Sequence, residues 1–412
     1  MYLIVYLMAQ GADWLQGPHV YALFSSYGMT SKQINQLFVV GFGSSMVFGT
    51  VVGSFADRLG RKFNCILYGV LYGVDCLSKH VPSYWALLVG RVAGGMATSI
   101  LFSAFESWVV CEHDKRGFSK DLLSDLFSNT FLGNSLVAIV SGLVAQVFAS
   151  HFGFIAPFSL SFVLLVLTSG IICCCWTENY GNISSDTRLS VIWQGMQVIR
   201  QDPKVFCLGL IQSLFEGSMY SFVLEWTPAL TPEFLDSGVG INNVDQDNIP
   251  HGWIFASFMV SVMLGSHVFK LLSRVTSVES FLRPVFGMAA LSLITPIVFS
   301  KNQSVVFVGF LVFEFCVGVF WPAMGVLRSK YVPESARATV MNIFRVPLNL
   351  IVITLLVQDL YLPSVFFCCV VFLCICCAVQ HWLYHLSFRF STSTDDVKGE
   401  AHSEICDVVR TV

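Results

Sequence analysis

The chain has 412 residues, 55% of them hydrophobic and 12% charged, with a mean hydropathy of +0.70 and a net charge of −3. A soluble protein carries about twice that charged share, which excludes a soluble enzyme, and the slight acidity without a basic stripe excludes a nucleic-acid binder. Uncharged runs such as residues 155–176 are long enough to cross a bilayer, so this is a polytopic membrane protein whose first partner is lipid.

Cutting the chain at charge clusters and at Pro, Gly and Asn predicts twelve spans. They begin near Met1, Gln33, Asn64, Tyr84, Ser124, Ile155, Val205, His251, Leu282, Ser304, Ala336 and Leu362. Lipid leaves no backbone group unpaired without cost and the runs are too long for barrel strands, so the fold class is all-α with twelve transmembrane helices. With both termini cytoplasmic, eighteen of the twenty-three Lys and Arg lie in inside loops, three (Lys32, Lys79, Lys301) lie outside, and Arg91 and Arg345 lie within spans. That asymmetry sets the orientation. The longest outside loop, 231–250, carries Glu233, Asp236, Asp245 and Asp247 and no basic residue.

The spans group into an N-terminal six-helix bundle (1–176) and a C-terminal one (205–386). Between them is a cytoplasmic linker (177–204), and after them a polar cytoplasmic tail (387–412) that composition predicts to be disordered. In the linker Leu189, Ile192, Trp193, Met196 and Ile199 recur at helical spacing, as in an interfacial helix. An offset near 212 aligns Asp13-Trp14 with Glu225-Trp226 and Gly53-Ser54 with Gly265-Ser266, while 213 aligns Asn129-Thr130-Phe131 with Asn342-Ile343-Phe344. Such repeats flank a shared site in transporters. The same register predicts a first helix clipped by about seven residues. The fourteen cysteines avoid the outside loops, so no disulfide framework is expected. Cys173, Cys174 and Cys175 read either as acylation sites near a cytoplasmic face or as small apolar residues. No spacing suggests a metal site, a cofactor or a catalytic centre.

After the second span come Gly53, Asp57, Arg58, Gly60, Arg61 and Lys62 in the spacing G-x-x-x-D-R-x-G-R-K. Gly60 suits a turn, and the cations hold the loop inside. The motif resembles the signature of the major facilitator superfamily. That resemblance implies two six-helix bundles, with the motif latching one conformation. Further stretches resemble the molybdate-anion transporter family: Ala12-Asp13-Trp14-Leu15-Gln16, Gly90-Arg91 with Gly94-Gly95, Phe102-Ser103-Ala104-Phe105-Glu106, Trp226-Thr227-Pro228 and Phe344-Arg345-Val346-Pro347-Leu348. This second resemblance covers nearly the whole chain and implies a secondary transporter for uptake of molybdate at the plasma membrane.

Ionisable residues inside spans are costly and mark function. Arg345, halfway along the eleventh span, offers a fork of donors to a tetrahedral dianion. Asn342 and Asn349 share its helix, and Asn129 and Asn134 occupy the matching fifth span. The alternative is that Arg345 only pairs with Glu314 or Glu216. Arg91, with Asp13 and Glu216 as the facing carboxylates, resembles the facilitator arrangement for proton coupling; Glu106 and Glu314 complete the coupling and gating set. Asp75 and Glu225 fall near outer ends, where they reach water. Six intramembrane carboxylates against two arginines are awkward for an anion carrier, unless some are protonated or paired. That surplus leaves two rival readings, a proton-coupled carrier of another small anion or organic solute and a non-transporting receptor with the same fold.

Overall fold

The computed structural model describes residues 1–410 except 119, 181–187, 232–249, 334–336 and 359, and the side chains of 50–58, 120, 121, 124, 125, 128, 131, 188–192, 194, 337–339, 342 and 388–410 lie outside the description. The acidic loop 231–250 is thereby almost wholly outside it. The first span is α1 (Tyr2–Trp14), a 3-10 turn (Gly17–His19) and α2 (Val20–Ser26). Then come α3 (Ser31–Leu59), α4 (Arg61–Ser78), α5 (Tyr84–Leu101), α6 (Ala104–Lys115), α7 (Lys120–Phe152) and α8 (Ala156–Cys175). A linker helix, α9 (Arg188–Gln201), precedes α10 (Pro203–Ala229), α11 (His251–Val275), α12 (Val278–Ser292), α13 (Thr295–Val298), α14 (Gln303–Tyr331), α15 (Arg337–Val357) and α16 (Leu362–Arg410). No strand occurs among the described residues. There, eight helical stretches are long and apolar enough to cross a membrane, and Ile343–Val357 is a shorter apolar one.

Three spans expected to be continuous are broken. Pro18, which lacks an N–H, opens the 3-10 turn of the first. The fourth span breaks between α5 and α6, where the Ser103 hydroxyl donates back to the Ser99 carbonyl at 2.7 Å. The ninth breaks ahead of Pro296. The tail also departs from expectation: α16 runs on to Arg410, because this segment contains no Pro and a single Gly to stop the helix leaving the last span.

Packing repeats between the halves. α1 lies on α7 and α8 as α10 lies on α15 and α16, α3 on α5 as α11 on α14, and α4 on α8 as α12 on α16. Backbones approach most closely where α11 meets α14: a Cβ added to Gly265 would lie 3.0 Å from the Val319 nitrogen, and one on Gly318 would run into the Val262 backbone. The halves meet through α3 with α15 and α7 with α11. Ile34, Leu37 and Phe38 pack with Leu348, Val352 and Leu356, and the Gly252 N–H donates to Gln146 Oε1 at 2.7 Å. These contacts gather where α3 and α11 begin and α7 and α15 end, so the molecule is closed at that end. At the other end an open recess of about 350 Å3 is lined by Arg61, Phe102, Ser103, Glu106, Ser107 and Val110.

Candidate functional site

The N-terminal half holds a buried ionic chain. Arg91 of α5 donates through Nη2 to both oxygens of Asp75, at 2.6 and 2.5 Å, and Lys79 Nζ donates to the same carboxylate at 2.6 Å. Lys79 also donates to Gln16 Oε1 at 2.6 Å, and Gln16 Nε2 reaches Ser161 Oγ at 3.0 Å. Asp75 and Lys79 are both 0% exposed, which overturns one expectation and qualifies another: Asp75 does not reach water, and Lys79, which caps the end of α4 at the outside loop, is turned inward and buried. The reason is local. Lys79 follows Asp75 by one helical turn, and Gly94 leaves the carboxylate its room, since a Cβ there would sit 3.0–3.3 Å from it. Two cations then satisfy a carboxylate that could not otherwise be ionised in this interior.

Arg91 is therefore spoken for by Asp75, and Asp13 does not pair with it directly. Asp13 is half-buried and accepts a short hydrogen bond from the Tyr72 hydroxyl, with Arg91, Lys79 and Asp75 in electrostatic range.

In the C-terminal half, Glu216 lies midway along α10 and is 5% exposed. Arg328 of α14 and Arg345 of α15 are in its electrostatic range. One turn on, Tyr220 is in range of Glu216, Arg345 and Asp13 and meets the Phe42 ring of α3 edge-on at 5.3 Å. Polar groups of both halves thus converge on one central space. Arg345 is exposed, and its guanidinium makes no hydrogen bond or ion pair among the described residues. It does not pair with Glu314, which is buried at 4% exposure; Glu216 is its carboxylate neighbour.

Two of the five expected substrate contacts are engaged within the protein. Asn349 Nδ2 donates to the Arg345 carbonyl at 2.9 Å, and Asn134 Oδ1 accepts from Trp14 Nε1 at 2.9 Å, so both amides have intramolecular partners. Asn129 is exposed, and the Asn342 side chain lies outside the described residues. Glu106 is exposed on the rim of the open recess, beside Arg61.

The signature motif turns the chain into α4. Gly60 has φ +106°, and a Cβ there would meet the Glu178 carboxylate at 2.5–2.8 Å. That carboxylate accepts from the Lys62 and Phe63 N–H groups at 2.8 and 3.1 Å, capping the positive end of α4. Arg61 donates to the Ser107 carbonyl at 3.0 Å and Lys62 Nζ to the Cys173 carbonyl at 2.9 Å, tying α4 to α6 and α8. Gly53, Asp57 and Arg58 are on the last turns of α3, with side chains outside the described residues. Cys173, Cys174 and Cys175 are all exposed.

Glu178, Tyr72, Tyr220 and Arg328 escaped the sequence reading. Tyr220 was the most accessible to it, being one turn from Glu216 on the same helix.

Residues 1–320 match a family model described as sugar transporters with twelve transmembrane segments. The molybdate-anion transporter of Xenopus tropicalis is 36% identical over 359 residues, covering 84% of this chain and 75% of that protein. That of Takifugu rubripes is 31% identical over 387 residues, covering 85% and 77%. Among solved structures, the nucleoside transporter NupG aligns with a TM-score of 0.70 at 10% identity over 93% of this chain and 98% of that one. A bacterial homologue of the human lysosomal transporter Spinster, inward-facing and unoccupied, aligns with a TM-score of 0.65 at 13% identity, covering 93% and 95%. At such identities these two likenesses show the fold alone.

Proposed function

Because the chain belongs to the molybdate-anion transporter family of the major facilitator superfamily, we propose that it takes molybdate into the cell across the plasma membrane. The route is alternating access to a site between its two six-helix bundles. The substrate follows from the kinship, and the observation that carries the site is the guanidinium of Arg345, exposed and unengaged by any hydrogen bond among the described residues. A tetrahedral dianion needs forked donors and positive charge in a low-dielectric setting, and Arg supplies both. The charge surplus that argued against an anion carrier shrinks once Asp75 is neutralised by Lys79 and Arg91.

With the basic loops inside, the closed end is extracellular and both termini are cytoplasmic, so this conformation faces inward. The turn at Gly60 and the ties from Arg61 and Lys62 make α4, α6 and α8 move as one body when the bundles rock. Asp13 and Glu216 belong to opposite halves and are both in electrostatic range of Tyr220; they are the candidates for proton coupling, which would ease entry of a dianion by removing a negative charge.

Competition distinguishes this from a carrier of another solute. Uptake of labelled molybdate at nanomolar concentration is expected to be blocked by excess tungstate, a near-isosteric dianion, and spared by organic acids. Blockage by organic acids with indifference to tungstate would favour the other solute class.

A further inference from the structure

Resting on the anion-carrier reading, we infer that Arg328 is the second arginine of the oxyanion site and that Glu216 is its resident counter-charge, displaced when the dianion binds. Arg328 lies in the last turn of α14. Its Nε donates to the Met324 carbonyl at 3.1 Å, and its Nη1 lies 3.9 Å from Met341 Sδ. Met341 precedes Arg345 by one turn of α15, so the two guanidinium groups lie along the same stretch of that helix. A thioether is a weak acceptor. The Arg328 guanidinium is therefore held part-buried with strong donors left over, and among the described residues no carboxylate lies within ion-pair distance of it.

Glu216 is the carboxylate in electrostatic range of both arginines, and it too lacks a close ion pair among the described residues. Two cations around one carboxylate leave the empty site at +1, which attracts a dianion without trapping it. When the dianion binds with Glu216 ionised, the sum is −1, and with Glu216 protonated it is zero. The carboxylate thus competes with the substrate for the same guanidinium groups. It weakens binding and speeds release, a division of labour that one arginine alone would not provide.

The test uses the full chain in proteoliposomes, with initial rates of molybdate uptake and direct binding of molybdate, tungstate and sulfate. Arg328→Gln is expected to raise KM and the dissociation constant about tenfold or more, the loss of one charge-assisted hydrogen-bond pair, with Arg328→Lys recovering part of it. Glu216→Gln is expected to act oppositely, lowering the dissociation constant while Vmax falls. A merely structural role would not produce that split. Unchanged binding in Arg328→Gln, or weaker binding in a monodisperse Glu216→Gln, overturns the inference while leaving Arg345 and molybdate intact. If the wild type binds tungstate or sulfate but not molybdate, the substrate reading fails, and Arg328→Gln still tests the site through whichever dianion binds. No binding of any of the three overturns both.

Discussion

Asp75 is fully buried between Lys79 and Arg91, and its charge is what allows both cations to lie inside the N-terminal half. Replacing it with Asn leaves two buried cations short of a partner, a change that costs about 3–5 kcal/mol when a buried pair is broken. Chemical denaturation of the purified protein should register that loss, whereas Glu106→Gln, at an exposed position, should stay within about 0.5 kcal/mol of wild type. Equal effects from the two would mean that the ionic chain does not hold the half together. The contrast also marks the limit of sequence at this scale. Arg345 was legible because a charge halfway along an apolar run has no cheap structural excuse. Asp75 was not, because a residue near a helix end looks as though it reaches water, and only the packing of Gly90 and Gly94 against it reveals otherwise. Arg328 was hidden likewise: it stands in a basic flank that the inside-loop count had already explained.

Helices as units were readable from hydropathy, since a bilayer demands long apolar runs with their hydrogen bonds closed internally. Their breaks were not, because averaging over a run conceals a turn of three residues such as that at Pro18. Contact between helices is set by still finer detail. α11 and α14 come together on Gly265 and Gly318, where either added methyl would meet opposing backbone rather than a side chain able to give way. Gly318→Ala should therefore lower stability by about 1–3 kcal/mol and loosen the C-terminal bundle. Gly287→Ala, with open space around the new methyl, should be neutral or slightly stabilising as a better helix former. Thermal unfolding in detergent compares the two, and a stable Gly318→Ala would contradict the close-contact account. At the start of α4, Glu178→Ala removes a carboxylate cap and should cost about 1 kcal/mol, without the loss of substrate affinity that changes at Arg345 should bring.

Across the whole molecule, the two halves share one packing plan and touch at one end. The repeat was visible as short matches at nearly constant offset, which reflect positions where both halves need the same packing or the same polar group. Which end is closed was not visible, because closure depends on how two rigid bodies lean on each other and not on either body's own pattern. If transport requires that lean to reverse, fixing it should stop transport. Gln146 and Gly252 face each other across the contact, with the Gln146 Cβ 2.5 Å from where a Cβ on Gly252 would stand and the Gly142 carbonyl also against it, so α7 and α11 must part by about 1 Å to reach the Cβ spacing of a disulfide. In a cysteine-reduced background, Gln146→Cys with Gly252→Cys should lose uptake on oxidation and regain it on reduction. Oxidised protein that is cross-linked yet fully active would rule out rocking about this contact.

The central claim is that a molybdate dianion is carried through the space where Arg345 lies exposed, and initial-rate uptake of labelled molybdate tests it most directly. The comparison is between cells expressing this chain and cells expressing Arg345→Ala at the same surface level. The account predicts saturable uptake that falls at least about tenfold in the variant, the cost of losing charge-assisted hydrogen bonds to the substrate. Saturable uptake unchanged by the substitution would contradict the site, and none from the surface-expressed wild-type chain would contradict the substrate.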